Sequence, residues 1–323
     1  MTNVLITGGA GFIGSHVTDR LLERGDSILV IDNFATARRD SLPDHERLQI
    51  EERTIADEDF VRQTFDKFQP ELVLHAAASY RDPDAWTEDS LTNVVGTANV
   101  VKAAECVGIR RFVYLQTALC YGLHPQEQPI TLSHPLDPKD SSYAITKTAG
   151  EQYVRLSALD WVSFRLANVY GPRNLSGPLP TFFHRLTEGK PCFVMDTRRD
   201  FVFVDDLVVV VLQALEGKGE SGAYHVSSGS DVSIQELFEA TVQTLGITLD
   251  SEVEVRPRGE DDAPSILLDP SKTEREFDWR AQTSLESGVA DAIAYYQEHG
   301  VSETFTHLKP PEPTEPVDST TSS

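Results

Sequence analysis

The sequence predicts an α/β fold: a doubly wound parallel sheet followed by a smaller C-terminal α/β lobe. Three observations predict it. Over the first two-thirds of the 323 residues, short runs rich in Val, Ile, Leu and Phe alternate with amphipathic stretches. That is the pattern of strands buried on both faces and joined by helices. A glycine-rich turn stands directly between the first apolar run and the first amphipathic stretch. At about 150 residues per domain, the length leaves room for a second unit beside the sheet.

The expected strands, in order, are 4–7, 28–31, 48–51, 72–76, 112–116 and 162–166. Each is short and dominated by apolar residues, as a strand with no solvent face should be. Between them, Ile13, Val17 and Leu21 repeat at helical spacing, as do Val94, Ala98, Val101 and Ala104. A third helix is expected from Tyr143 to about Ser157. After Gly171 the dipeptides Gly171-Pro172, Gly177-Pro178 and Leu179-Pro180 mark a loop-rich stretch. Helices then follow near 205–215, 234–245 and 285–297, with strands near 223–226 and 252–255. The expected division is 1–171 for the sheet domain and 172–308 mainly for the lobe, some of whose segments return to the sheet. Residues 309–323 contain mostly Pro, Ser, Thr and acids, and are expected to form a disordered tail.

Composition narrows the functional classes. Apolar residues make up 40% of the chain, enough for a sizeable core, which excludes a wholly disordered protein. With 28 basic and 51 acidic residues the net charge is −23, which argues against nucleic acid or an anionic membrane as partner. Cys106, Cys120 and Cys192 are too few and too scattered for a disulfide framework or a metal cluster. A reducing, cytoplasmic location is therefore the expectation. The N-terminal residues MTNVLITGG show no export signal, and no apolar run reaches the ~18 residues of a membrane span.

The glycine turn reads Thr7-Gly8-Gly9-Ala10-Gly11-Phe12-Ile13-Gly14, with glycines at a GxxGxxG spacing. Such a turn lets backbone N–H groups and a helix N-terminus approach a pyrophosphate, which a side chain would block. Asp32 lies eighteen residues beyond Gly14 at the end of the second expected strand. A carboxylate near that spacing accepts hydrogen bonds from an adenosine ribose and repels a 2′-phosphate. NAD is thus expected rather than NADP, although Arg38 and Arg39 follow nearby.

Tyr143-Ala144-Ile145-Thr146-Lys147 places a phenol and an ammonium one helical turn apart on one face. An ammonium beside a phenol favours the phenolate. Such a tyrosine can take a proton from a hydroxyl while hydride leaves the same carbon. Taken alone, the spacing is common on solvated helix surfaces. Thr117 ends the fifth expected strand, where ligands bind in sheets of this kind.

Seven stretches occur in one order and spacing: LITGGAGFIGSH at the start, LHAAA at 74–78, NVVGT at 93–97, TALCYG at 117–122, YAITK at 143–147, FRLANVYGPR at 164–173 and RRDFVFVDDL at 198–207. Through them the chain resembles the extended short-chain dehydrogenase/reductases, specifically the NAD-dependent sugar-nucleotide epimerase/dehydratase family. Through ASYRDPDAW, LQTALCYG and DDAPSILLDPSKT it looks most like the epimerases of bacterial O-antigen and polysaccharide gene clusters. The resemblance implies a Rossmann-type sheet with a substrate-binding lobe. It implies that Thr117, Tyr143 and Lys147 are catalytic, the latter two also touching the cofactor. Gly8, Gly11, Phe12, Ile13 and Asp32, with Asn33, would hold the adenosine half of NAD. Ala76, Ala77 and Ala78 would border the cofactor, with Asn93 close by. Asn168 would contact the sugar nucleotide, Arg199 and Arg258 its phosphates, and Asp261 its ribose. No metal is implied. Relatives pair two helices into a four-helix dimer interface, here the helix of Val94 and Ala104 and that of Tyr143, with Ala98, Val101, Ala149 and Val154 suited to close contact.

Some positions depart from the family pattern. Ala118 and Leu119 stand where dehydratases carry Asp-Glu and where decarboxylases commonly carry a Glu. Thr54 replaces an adenine-binding Asp, Tyr80 replaces the lysine of simple UDP-galactose epimerases, and the 195–200 loop is shorter than usual. The leading expectation is a C4 epimerase of a UDP-hexose, UDP-N-acetylhexosamine or UDP-uronic acid, working through a 4-keto sugar. Arg81 is a candidate to hold a uronate carboxylate. The alternatives are a decarboxylase or reductase using the same 4-keto chemistry, or a non-catalytic NAD-binding regulator.

Overall fold

In the computed structural model, residues 1–80, 82–139, 141–259, 262–301 and 304 are described. Asp261, Arg81 and the 309–323 segment lie outside the described residues. Strand β1 (Asn3–Thr7) is followed by helix α1 (Phe12–Arg24), β2 (Ser27–Asp32), β3 (Leu48–Glu52), α2 (Glu58–Phe68) and β4 (Leu72–His75). A short helix α3 (Trp86–Asp89) runs through a π-helical segment, Ser90–Gly96, into α4 (Thr97–Val107). Then come β5 (Arg111–Thr117), a 3-10 turn at Ala118–Tyr121, α5 (Ser142–Leu156) and β6 (Trp161–Leu166).

These six strands and a later one, Gly222–Val226, make one sheet in the order Gly222–Val226, β6, β5, β4, β1, β2, β3. Every neighbouring pair in it is parallel. The chain moves outward from β1 in one direction to β3 and in the other to β6. The crevice beyond the carboxyl ends at β1 and β4 is therefore the topological switch point, where α/β sheets bind ligands. Helix α1 and the later helix Val204–Leu215 cover one face, burying Val17, Leu21, Leu207 and Val211 with Val4, Ile6, Val30 and Val113. Helices α2, α4 and α5 cover the other, where Val61, Phe65, Val100 and Val154 meet Leu5, Leu29, Val73 and Phe112. This is the doubly wound α/β fold of Rossmann type that the alternating apolar runs predict.

The departures have physical reasons. Helix α2 has eleven residues of which only Val61, Thr64 and Phe65 are buried, so its apolar signal is short; Asp57 caps it by accepting from Phe60 N–H. The π-helical segment inserts an extra residue per turn and rotates the buried face. Its inward residues are Asn93 and Gly96, followed in α4 by Thr97, Val100, Val101, Ala103 and Ala104, while Val94 and Ala98 are only half-buried. Val101 and Val154, expected at a dimer interface, lie instead in the core against the sheet. The exposed apolar residues on these helices are Trp86, Leu91, Val95, Ile145, Tyr153 and Leu156.

Beyond β6, the stretch expected to be loop-rich contains helix α6 (Pro178–Thr187), with proline in its first turn. The N–H groups there have no partner within the helix, so Pro178 and Pro180 start the helix rather than interrupt it. Helices α7 (Val204–Leu215), α8 (Ile234–Leu245), α9 (Ser271–Phe277) and α10 (Leu285–His299) follow. Three small sheets tie this part of the chain together: Asn168–Tyr170 with Phe201–Phe203, Phe193–Met195 with Glu254–Arg256, and Arg198–Arg199 with both Val232–Ser233 and Ser265–Ile266. Among the described residues, no helix is long and apolar enough to cross a membrane.

Candidate active site

A cleft of about 1400 Å³ opens along the carboxyl ends of the sheet strands and runs under the C-terminal segments. At one end β1 enters the glycine turn. Gly8 has φ +68°, and a Cβ there would lie 2.6 Å from Ala77 Cα. Only glycine fits that close approach. Helix α1 starts at Gly11 with no side chain capping it and no acid in its first turn. Its leading N–H groups and positive dipole end are thus available to an anion. Asp32 Oδ2 accepts from Ala10 N–H at 3.0 Å and Oδ1 from Phe34 N–H at 2.8 Å. Burial pushes its carboxyl pKa up, and the N–H groups of Phe34, Ala10 and Gly11 oppose the shift. Gly11, Phe12, Ile13, Asp32 and Asn33 all line the cleft, as do Ala76, Ala77 and Ala78. Asn33 Oδ1 accepts from Ala35 N–H.

The two arginines beside this end are already paired: Arg38 with Asp40 through two bonds of 2.9 and 2.6 Å, and Arg39 with Glu52. Their charge is committed, and the cleft keeps the Asp32 carboxylate as its ribose acceptor. This donor set fits NAD. Asn93 does not line the cleft. It clips the loop after β4 to α5, accepting from Ser79 N–H and donating to Ser79 O and to Thr146 Oγ1.

At the other end, Thr117 closes β5 and its Oγ1 accepts from Leu119 N–H at 3.2 Å. Tyr143 and Lys147 sit in the first two turns of α5, which Ser141 caps through Ala144 N–H. All three line the cleft, together with Ala118 and Leu119. The Tyr143 ring meets Tyr80 edge-on, with centroids 6.2 Å apart. Burial holds the Tyr143 phenol above its ordinary pKa, and Tyr80 and the buried Asp89 add to the effect. Lys147 is 2% exposed. Its Nζ stands 4.1 Å above the centre of the Tyr114 ring. Burial lowers its pKa to about 7, against a smaller opposing pull from Glu151. Behind it, Glu151 holds Arg165 at 2.8 Å and Ser163 at 2.6 Å, Arg165 donates to Tyr121 Oη, and Tyr121 meets His225 Nε2 at 2.6 Å. This network locks α5 to the sheet.

Under the C-terminal segments, Asn168 and Arg199 line the cleft. Asn168 Nδ2 donates to Asp200 O. Arg199 is not free: it pairs with Asp262 and donates to Ala263 O at 2.8 Å. Burial lowers its pKa and the Asp262 carboxylate opposes that. Arg258 does not line the cleft, although Pro257 and Gly259 do; it donates to Asp262 O at 3.3 Å. Asp262, which organises both arginines, was missed by sequence reasoning, and so were Tyr114 and Gln116. Arg199 lies 63 residues from Asp262, and Lys147 lies 31 and 33 residues from Gln116 and Tyr114, so no local spacing signals these contacts.

The model of the NAD dependent epimerase/dehydratase family matches residues 4–227. The chain belongs to this family. Its structure superposes on the Bordetella bronchiseptica enzyme WbmH, solved in complex with NAD+, with a TM-score of 0.91 and 55% identity over 93% of this chain and 100% of that one. WbmG of the same organism, solved with NAD and UDP, gives a TM-score of 0.89 and 45% identity over 96% of this chain and 99% of that one. The UDP-glucose 4-epimerase of Mycolicibacterium smegmatis is 31% identical over 91% of this chain and 98% of its own. As a member of this family the protein uses NAD, for which the uncapped start of α1 and Asp32 are built.

Proposed function

We propose that the protein inverts C4 of a UDP-linked sugar, with Thr117, Tyr143 and Lys147 as its catalytic residues. The observation that carries the reading is that those three residues line one cleft, together with a turn whose residues Ala118 and Leu119 carry no titratable group. The 31%-identical UDP-glucose 4-epimerase and the UDP in the WbmG complex support the substrate class.

When bound, NAD supplies the acceptor and donor of hydride. The Tyr143 phenol exchanges the proton of the sugar's 4-hydroxyl. Thr117 Oγ1 hydrogen-bonds the same oxygen and steadies the proton path. The Lys147 ammonium, when charged, favours the phenolate and offsets the burial that holds Tyr143 protonated. Asn168 and Arg199 line the same cleft and are the residues proposed to hold the nucleotide, so that the sugar can turn its other face while its nucleotide stays fixed; Arg199 carries Asp262 as its partner there. Loss of water needs an acid for the leaving oxygen, and neither Ala118 nor Leu119 can supply one.

The test is incubation of the NAD-loaded protein with UDP-hexoses, UDP-N-acetylhexosamines and UDP-uronic acids, followed by NMR and mass spectrometry. Inversion at C4 with unchanged mass is expected. A product lighter by water or by CO2 overturns the reading in favour of dehydration or decarboxylation. We further propose a homodimer through α3, the π-helical segment, α4 and α5, which expose Leu91, Val95, Ile145, Tyr153 and Leu156. A monomeric mass by light scattering at micromolar concentration counts against it.

A further inference from the structure

Gln116, next to last in β5 and 2% exposed, makes two hydrogen bonds that join different parts of the site. Its Oε1 accepts from Thr117 N–H at 2.8 Å. Its Nε2 donates to the carbonyl oxygen of Lys147 at 3.0 Å. Strand β4 ends at His75, opposite Tyr114, so the last residues of β5 run beyond it without a strand on that side. A side-chain amide there does what a neighbouring strand does elsewhere.

Tyr114 lies two residues back on the same face of β5 and contacts the same helix position. Its hydroxyl donates to Lys147 O at 2.9 Å, and its ring faces the Lys147 ammonium at 4.1 Å. Among the described residues, Lys147 Nζ makes no hydrogen bond or ion pair, and the nearby Glu151 is committed to Arg165 and Ser163. The backbone of Lys147 is thus held from β5 at its carbonyl, and its charge is backed by a π face.

We infer that Gln116 is a positioning residue: one amide fixes the spacing between Thr117 and Lys147, and with the Tyr114 ring beneath the ammonium it presents that charge to the cleft. The inference rests on the catalytic roles proposed above. An amide is needed because one atom must accept and the other donate. A carboxylate at this place keeps the acceptor for Thr117 but, when ionised, faces the Lys147 carbonyl with no donor and brings a negative charge toward residue 147. An apolar side chain of similar length loses both bonds.

The test uses Gln116→Met and Gln116→Glu in the full-length, NAD-loaded protein. Misplacing a catalytic group by about 1 Å costs on the order of 100-fold in rate, so Gln116→Met is expected to lower kcat by ten- to 100-fold with KM and NAD occupancy little changed. In Gln116→Glu the titration of Lys147 is expected to move to higher pH. That titration is read without any sugar nucleotide, from the pH dependence of Lys147 labelling by an amine-reactive reagent and peptide mass spectrometry. Wild-type kcat in Gln116→Met, or an unmoved Lys147 titration in Gln116→Glu, overturns the inference. So does a loss of NAD occupancy and melting temperature that tracks the loss of rate, since that is ordinary structural damage. If the wild type inverts no sugar nucleotide, the proposed reaction fails, while the labelling still reports on Gln116. Tyr114→Phe, which keeps the ring, should preserve more of kcat than Tyr114→Leu, which removes it; equal losses overturn the π-platform part.

Discussion

Replacing Lys147 by methionine should make the apo protein more stable and inactive, and the gain in stability should shrink as pH rises. Lys147 titrates near 7 in the folded chain against 10.5 for an ordinary lysine, because burial disfavours its charged form. That lowering corresponds to on the order of 5 kcal/mol of penalty on the charged form. Between pH 7 and 10.5 the unfolded chain holds the proton more tightly than the folded one, so wild-type stability rises with pH across that window. Below pH 7 both states are protonated and the full penalty stands. At pH 6 the Met variant should therefore exceed the wild type by several kcal/mol. By pH 9 the difference should fall to about 2 kcal/mol, and near pH 10.5 it should almost vanish. Methionine also suits the site sterically, since it packs well against an aromatic ring such as Tyr114. Urea unfolding of the NAD-free proteins at pH 6, 7.5 and 9 measures the difference directly. A Met variant less stable than wild type at pH 6, or a gap that does not narrow with pH, would refute the reasoning that burial rather than pairing governs Lys147.

Tyr143→Phe should lose on the order of 10²–10⁴-fold in turnover while retaining NAD, the usual worth of a positioned acid–base group; NMR turnover and absorbance of the released cofactor check both halves. Because Arg38 and Arg39 are committed to Asp40 and Glu52 and Asp32 remains in the cleft, NADP should bind the cofactor-free protein far more weakly than NAD. Equal affinities in calorimetric titrations would remove the argument from Asp32. Glu151→Gln leaves Arg165 buried without its counter-ion and should destabilise the fold by about 3–5 kcal/mol. Urea unfolding reads the loss, and a change below about 1 kcal/mol would mean the network does not lock α5 to the sheet.

The parts legible in the sequence are those set by local periodicity. Strands such as Ile28 to Ile31 are apolar on both faces because helices cover both, so their runs are continuous. The glycine turn is legible because only glycine allows Gly8 to approach Ala77. The four-residue spacing of Tyr143 and Lys147 is visible in the sequence, but it stands out from ordinary helix surface only through the neighbouring stretches that resemble the family. What local pattern cannot report is pairing across the fold. Arg199 reads as a free phosphate ligand until Asp262 is seen beside it, and Gln116 reads as an ordinary strand residue until Lys147 comes within 3.0 Å. Pro178 and Pro180 misled in another way: proline punctuates loops and also starts helices, and only the following turns of α6 distinguish the two.

The outermost strand of the sheet, Gly222–Val226, is made some sixty residues after its neighbour β6. Until it arrives during synthesis, β6 stands as a bare edge with Val162 and Phe164 uncovered, and Tyr121 lacks the His225 it meets at 2.6 Å in the finished protein. An open, apolar strand edge is a template for pairing with another chain. The nascent protein therefore passes through a stage in which its cofactor half is complete in sequence yet prone to stick to its neighbours. A fragment ending at residue 171 should partition into the insoluble fraction to a greater extent than the full-length chain. In this fold the sheet that carries the glycine turn is finished by a strand made after α7, so the early half of the chain cannot cover its own edge.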